Sequence, residues 1–390
     1  MIVKIVDNRF ILALSVLSTV VIYFYANLNG LGLTHDSYQY WEKSVIFARN
    51  HSFKEIGFTT FFPFQSLEIV MLSIMGTNAQ MTLKYLHAFF LGGTVFIHLM
   101  VAKEMFSSKK MLVIYAATLI FSTPLLMVHS FIWTEPLFIF LVSLQWYLLW
   151  LFFQRKTFNR LVAILFISLL YCWQRKAGML FSLGLLLALT THFVSSKKQI
   201  LAICTALALL IFILYGGLGT PNFIGEFPLL SSFSVNLQNY SDALSAWLFP
   251  LPLNYRLRVG IFTLLVIFMG YLLWKTWPEI QEEKRSYITG IVFIILTYLV
   301  IRHFYDRPHF DEADRFLAPI YPGVFFLLIF AMERFVLNTR QKILRLVLPV
   351  IMALWLTYPV IRTLKNAKMW HNRNKIPLLI EEKIQRVDKK

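Results

Sequence analysis

Long apolar runs alternate with short polar connections from residue 10 to residue 361. The runs cover 10–27, 79–101, 111–128, 136–153, 161–173, 177–194, 199–217, 257–274, 287–302, 316–332 and 343–361. As α-helix, most are close to the length that crosses a ~30 Å hydrocarbon core. The pattern predicts an all-α, polytopic membrane protein with about eleven transmembrane helices. Two connections on one side are long, 28–78 and 218–256, and function concentrates in such loops. Within the first, residues 36–50 interleave Tyr40, Trp41, Val45, Phe47 and Ala48 with polar groups. Residues 63–76 open on Pro63 and stay apolar apart from Gln65, Ser66, Glu68 and Ser73. Both predict interfacial helices. Residues 1–361 read as one transmembrane domain, and 362–390 as a basic C-terminal tail.

Composition agrees with this pattern. Hydrophobic residues make up 58% of the 390 and charged residues 15%, with a mean hydropathy of +0.63, far more apolar than a soluble domain of that length. The formal charge of +17 does not point to nucleic acid, because the basic residues are scattered among connections rather than gathered on one face. They instead set topology. With the N-terminus inside, the cytoplasmic segments carry Lys4, Arg9, Lys103, Lys109, Lys110, Arg155, Lys156, Arg160, Lys275, Lys284 and Arg285, as the positive-inside rule expects. The opposite connections hold Asp36, Glu135, Asp242, Asp306 and Asp314. An odd number of spans leaves the basic tail on that outer side, against the rule. Residues 10–25 read as an uncleaved first helix, since no small-x-small cleavage pattern follows them. Cys172 and Cys204 fall inside apolar runs, which implies no disulfide framework. The expected location is a plasma membrane, bacterial and multi-pass, with the chemistry on the extracytoplasmic face.

Four polar clusters fall on that face. The first follows the opening span: Thr34-His35-Asp36-Ser37-Tyr38-Gln39-Tyr40. Asp36 is either an N-terminal helix cap or a base. The second is Trp133-Thr134-Glu135-Pro136, where Glu135 either complements a helix dipole or belongs to a site. In the third, Arg175 and Lys176 lie between two short spans, where cations are disfavoured. Arg175 is either a planar, bidentate partner for phosphate or an interfacial lipid anchor. The fourth runs from Arg302 and His303 through Asp306 and Arg307 to Glu312, Asp314 and Arg315. It matches no standard zinc spacing and suits anion binding better than metal. An acid, further carboxylates and arginines at one membrane face suit a lipid-linked phosphate substrate.

In their order along the chain, the Asp just after the first span, the Thr-Glu-Pro of 134–136, the Arg-Lys-Ala-Gly of 175–178 and the Arg-Phe-Leu-Ala-Pro-Ile-Tyr-Pro of 315–322 resemble the GT-C glycosyltransferases. Within that superfamily the pattern is most similar to bacterial relatives of protein O-mannosyltransferases and of lipid A aminoarabinose transferases, over most of residues 10–332. The resemblance implies a donor sugar on a polyprenyl phosphate and an acceptor hydroxyl on a glycan, lipid or protein, with inversion in one displacement. It makes Asp36 the general base, Arg175 and Arg315 donor-phosphate ligands and Glu135 a supporting acid. His303 and Arg302 join the phosphate ligands on chemical grounds, and His35, Tyr40, Asp306 and Arg307 the supporting shell. Some relatives hold a divalent cation such as Mg or Mn at an acidic pair in the first loop. Here that place reads His35-Asp36, which leaves the metal open, and no organic cofactor is expected. A transporter or flippase of lipid-linked sugars, and a surface-glycan polymerase or ligase, are the competing classes.

Overall fold

The structure is a computed structural model, and it describes residues 8–52, 66–76, 79–175, 177–192, 229–305, 312–339 and 342–373. Among these there are helices and no strands, as the apolar pattern predicts. The first nine helices are α1 (Asn8–Ala26), α2 (His35–Asn50), α3 (Ser66–Met75), α4 (Ala79–Met105), α5 (Lys109–Ile120), α6 (Thr123–His129), α7 (Glu135–Gln154), α8 (Phe158–Gln174) and α9 (Ala177–His192). After them come α10 (Leu229–Leu248), α11 (Tyr255–Thr276), α12 (Glu282–Tyr305), α13 (Ala313–Leu317), α14 (Tyr321–Asn338), α15 (Lys342–Trp355) and α16 (Thr357–Arg373). Among the described residues seven helical segments are long and apolar enough to cross a membrane, or eight if α5 and α6, bent by 40° at their break, count as one span. The chain is therefore built as a multi-pass membrane protein. The apolar helices α8 and α9 are shorter, and the run at 199–217 lies outside the described residues.

Helix α7 is the axis of the bundle: α4, α8 and α12 pack against it, and α12 in turn packs along α9. These crossings are close because small residues sit at them. A Cβ added to Gly184 of α9 would stand 2.7 Å from Ile294 Cα of α12, so the two backbones meet with no side chain between them. Gly184→Val is expected to force them apart and cost about 1–3 kcal/mol, read as a lower unfolding temperature of the purified protein. Gly178 plays the same part at the α8–α9 corner, where its added Cβ would lie 2.5 Å from Tyr171 O and 2.8 Å from Cys172 N. Its role is helix-to-helix approach, which holds Arg175 at the tip of a tight hairpin.

Two departures from the apolar pattern shape the site. The run at 111–128 is broken at Phe121 and Ser122, because the Ser122 side chain accepts from Leu125 N–H and Pro124 stands in the first turn of α6. The boundary at residue 362 is also corrected. Helix α16 runs through it to Arg373, burying Pro359, Thr363, Ala367 and Trp370 on one stripe. That stripe lies against α1 and α6: Thr363 Oγ1 meets Thr123 Oγ1 at 2.9 Å, and the His371 ring stacks on Tyr25 at 4.9 Å. Residues 362–373 are thus part of the folded body, at the end of the bundle where Asp36 lies. At the opposite end Lys284 Nζ donates to Met105 O at 3.0 Å and Ser108 N–H to Glu333 Oε1 at 2.6 Å.

Candidate functional site

Asp36 is presented by a doubly anchored turn. Helix α2 starts after Thr34, which forms a capping box with Ser37: Thr34 N–H donates to Ser37 Oγ at 3.0 Å. Thr34 is the N-cap, so the capping alternative for Asp36 falls away. The same threonine accepts Trp133 Nε1–H at 2.8 Å through Oγ1. One step earlier, Gly32 N–H donates to Ser130 O at 2.7 Å and Gly32 O accepts Ile132 N–H at 3.1 Å, a short parallel bridge. Residues 30–36 are thus laced to the segment that leads into Glu135.

Glu135 opens α7 and is 1% exposed. Its Oε1 receives Arg175 Nη1 at 2.6 Å and Arg315 Nε at 2.5 Å. Arg315, 3% exposed, turns its Nη1 to Asp36 Oδ2 at 2.8 Å and to Glu312 Oε2 at 3.3 Å. Its guanidinium lies 4.1 Å from the centre of the Trp133 ring, a cation–π contact. Arg175 Nη1 also donates to Thr134 Oγ1 at 2.6 Å, and Gln174 Nε2 to Thr134 O at 3.2 Å. A buried carboxylate survives desolvation only with such partners, and two guanidiniums supply them here. Glu135 Oε2 and Asp36 Oδ1 accept no hydrogen bond among the described residues.

Tyr40 stands one helical turn beyond Asp36 and is buried. Burial first, and the charge of Glu135 second, push its phenol up to about 12. It therefore remains a neutral O–H donor beside the carboxylates through the physiological range. Its raised value favours the folded state below the usual tyrosine range near pH 10, and that contribution fades as pH climbs towards 12.

The remaining expected residues divide. Arg302 lies 4.4 Å from the Phe316 ring, and Arg315 reaches the same ring at 5.9 Å, so the two cations share one aromatic wall. His303 faces elsewhere. Its Nδ1–H donates to Leu299 O at 2.5 Å, and its ring packs on Tyr240 at 5.1 Å, against α10 rather than against the Arg315 network. His35 is exposed and shares a hydrogen bond with Gln39 at 2.9 Å. Adjacent helical residues diverge around the axis, so His35 and Asp36 do not converge on one point. Arg315 occupies Asp36 Oδ2. Among the described residues no three His, Cys, Asp or Glu side chains gather as metal ligands. Asp306 and Arg307 lie outside the described residues.

Trp133, Thr134 and Glu312 fall within the polar clusters of the sequence, but the sequence assigns them no role in the site. The i,i+3 spacing of Glu312 and Arg315 was a usable signal for the last. Trp133 and Thr134 act through contacts with chain segments distant in sequence, which spacing does not reveal. No family model matches this chain, and no curated protein matches it at a meaningful level of similarity.

Proposed function

We propose that this chain is a membrane glycosyltransferase of the GT-C kind, carrying a sugar from a polyprenyl-phosphate donor to an acceptor hydroxyl on a glycan, lipid or protein. In this reading it crosses a bacterial plasma membrane about eleven times and works on the extracytoplasmic face. One observation carries the proposal: Arg315 binds Asp36 and Glu135 at once while Arg175 binds Glu135, so residues as far as 279 positions apart share a single hydrogen-bonded network.

The chemistry follows from which atoms are taken and which are open. Arg315 holds Asp36 Oδ2, and Oδ1 is left to accept the acceptor hydroxyl's proton as that oxygen attacks the anomeric carbon. The carbon–oxygen bond to the lipid phosphate breaks on the opposite face of the sugar, and the phosphate leaves with the electron pair, inverting the centre. Arg315 Nη2 and the second amino group of Arg175 make no hydrogen bonds among the described residues, and both are suited to phosphate oxygens. The three carboxylates outnumber the two guanidiniums, so a phosphate also needs Arg302 from across Phe316.

The test is transfer of radiolabelled sugar from a polyprenyl monophosphate by the purified protein in lipid. Sugar transfer with release of polyprenyl phosphate is the expected result. Movement of the intact lipid-linked sugar between leaflets, with no transfer, would replace the enzyme with a carrier. Orientation has its own check: cysteines placed at the exposed positions Gln39 and Lys368 should both react with a membrane-impermeant maleimide added outside intact cells. Labelling of one without the other would divide the site between leaflets.

A further inference from the structure

A polar cavity of about 440 Å³ opens beside the Arg315 network. Its walls come from α10 (Gln238, Asn239, Asp242), from Tyr255 of α11, and from Asp314 and Arg362. Asp314 precedes Arg315 in the short helix α13, so one face of that helix looks into this cavity while the next residue reaches Asp36.

The charges of the cavity are already balanced and fixed. Arg258 is buried beneath it and binds Asp242, Ser245 Oγ at 3.1 Å and Leu251 O at 3.1 Å. Arg362 binds Asp314 Oδ2 at 3.1 Å and Ala246 O at 2.6 Å. Trp247 Nε1 holds the other Asp314 oxygen at 2.8 Å. With each carboxylate matched to a guanidinium, neither a simple anion nor a simple cation finds unbalanced charge to bind. What stays open is neutral hydrogen-bonding capacity. The Gln238 side chain and Asn239 Nδ2 make no hydrogen bonds among the described residues, and both carboxylates keep spare lone pairs. Rigid acceptors alternating with amide donors match vicinal hydroxyl groups, each of which donates once and accepts once.

We infer that this cavity binds a saccharide, and that it is the subsite for the acceptor glycan. The saccharide assignment stands on the cavity alone, whereas its acceptor role rests on the transferase reading. The volume is in the range of small-molecule sites and accommodates about two sugar rings. Its position explains why α10 is a folded helix with a polar edge: Tyr358 Oη–H and Trp355 Nε1–H donate to Ala246 O and Leu248 O, both at 2.7 Å, so α15 and α16 fix the wall in place.

The experiment uses the full chain in lipid nanodiscs, carrying Asp36→Asn to prevent turnover. Saturation-transfer NMR is recorded with the methyl glycosides of glucose, galactose, mannose and N-acetylglucosamine, and with the same sugars on dodecyl tails. At least one glycoside should receive saturation. The double variant Gln238→Ala/Asn239→Ala should weaken it about tenfold, as should Ala243→Leu, which fills the cavity from the next turn of the same helix. Both variants should bind polyprenyl phosphate as before, which also reports that they are folded. A tighter dodecyl form identifies a lipid-linked saccharide, and equal binding a soluble one. Absence of saturation for every glycoside, or saturation unchanged in both variants, overturns the inference. Sugar binding without polyprenyl-phosphate binding would instead remove the transferase reading and leave the saccharide site standing.

Discussion

Arg315→Met is expected to lower the unfolding free energy by about 3–5 kcal/mol, because it leaves a buried carboxylate without its principal partner. Glu135 is 1% exposed, and removing Arg315 leaves Arg175 alone to neutralise it. The loss should be partly recovered in the double variant Glu135→Gln/Arg315→Met, in which the buried group is neutral and needs fewer partners. Arg315→Lys should fall between, since one ammonium group cannot reproduce the fork that reaches Glu135 through Nε and Asp36 through Nη1. Thermal and denaturant unfolding of the four proteins in one detergent measures this order. If Arg315→Met unfolds together with the unsubstituted protein, Glu135 is not the buried, charged hub described above.

Apolar runs made the membrane helices legible, and charge placement brought the polar clusters to one end of the bundle. Helix α2 formed where aromatic and polar residues interleave, and α3 where an apolar stretch is too short to cross. Less visible were elements whose burial is partial. Helix α10 mixes Ser, Asn, Gln and Asp with Ala243, Leu244 and Trp247, so hydropathy treats it as a loop although one edge packs into the body. Helix α16 reads as a basic tail because its lysines and arginines dominate the composition, while the four residues it buries are spread over three turns. In the site, Asp36, Glu135, Arg175 and Arg315 could be named singly, since each is a charge where the membrane disfavours one. Their bonding could not be, because it depends on the Gly32–Phe131 bridge and the Gly178 contact, which join segments far apart in the chain. His303 misled for the same reason: a histidine beside Arg302 in sequence points about 100° away on a helix.

Asp36→Asn is expected to lower sugar transfer by about 10²- to 10⁴-fold, the usual worth of a positioned general base, while leaving the protein folded. The asparagine oxygen can still accept Arg315 Nη1, so the network that fixes α2 keeps its bond and the unfolding temperature should stay near that of the parent. The substitution also removes one of the three carboxylates facing two guanidiniums, so the site becomes less negative. Polyprenyl phosphate should therefore bind at least as tightly as before, and more tightly at low ionic strength, where such charges are least screened. Loss of turnover with binding preserved or strengthened separates a base from a residue that merely holds the fold, whose removal would weaken both together. Equal transfer by the asparagine variant would show that the proton goes elsewhere, and Glu312, bonded to the same guanidinium nitrogen, would be the next group to substitute.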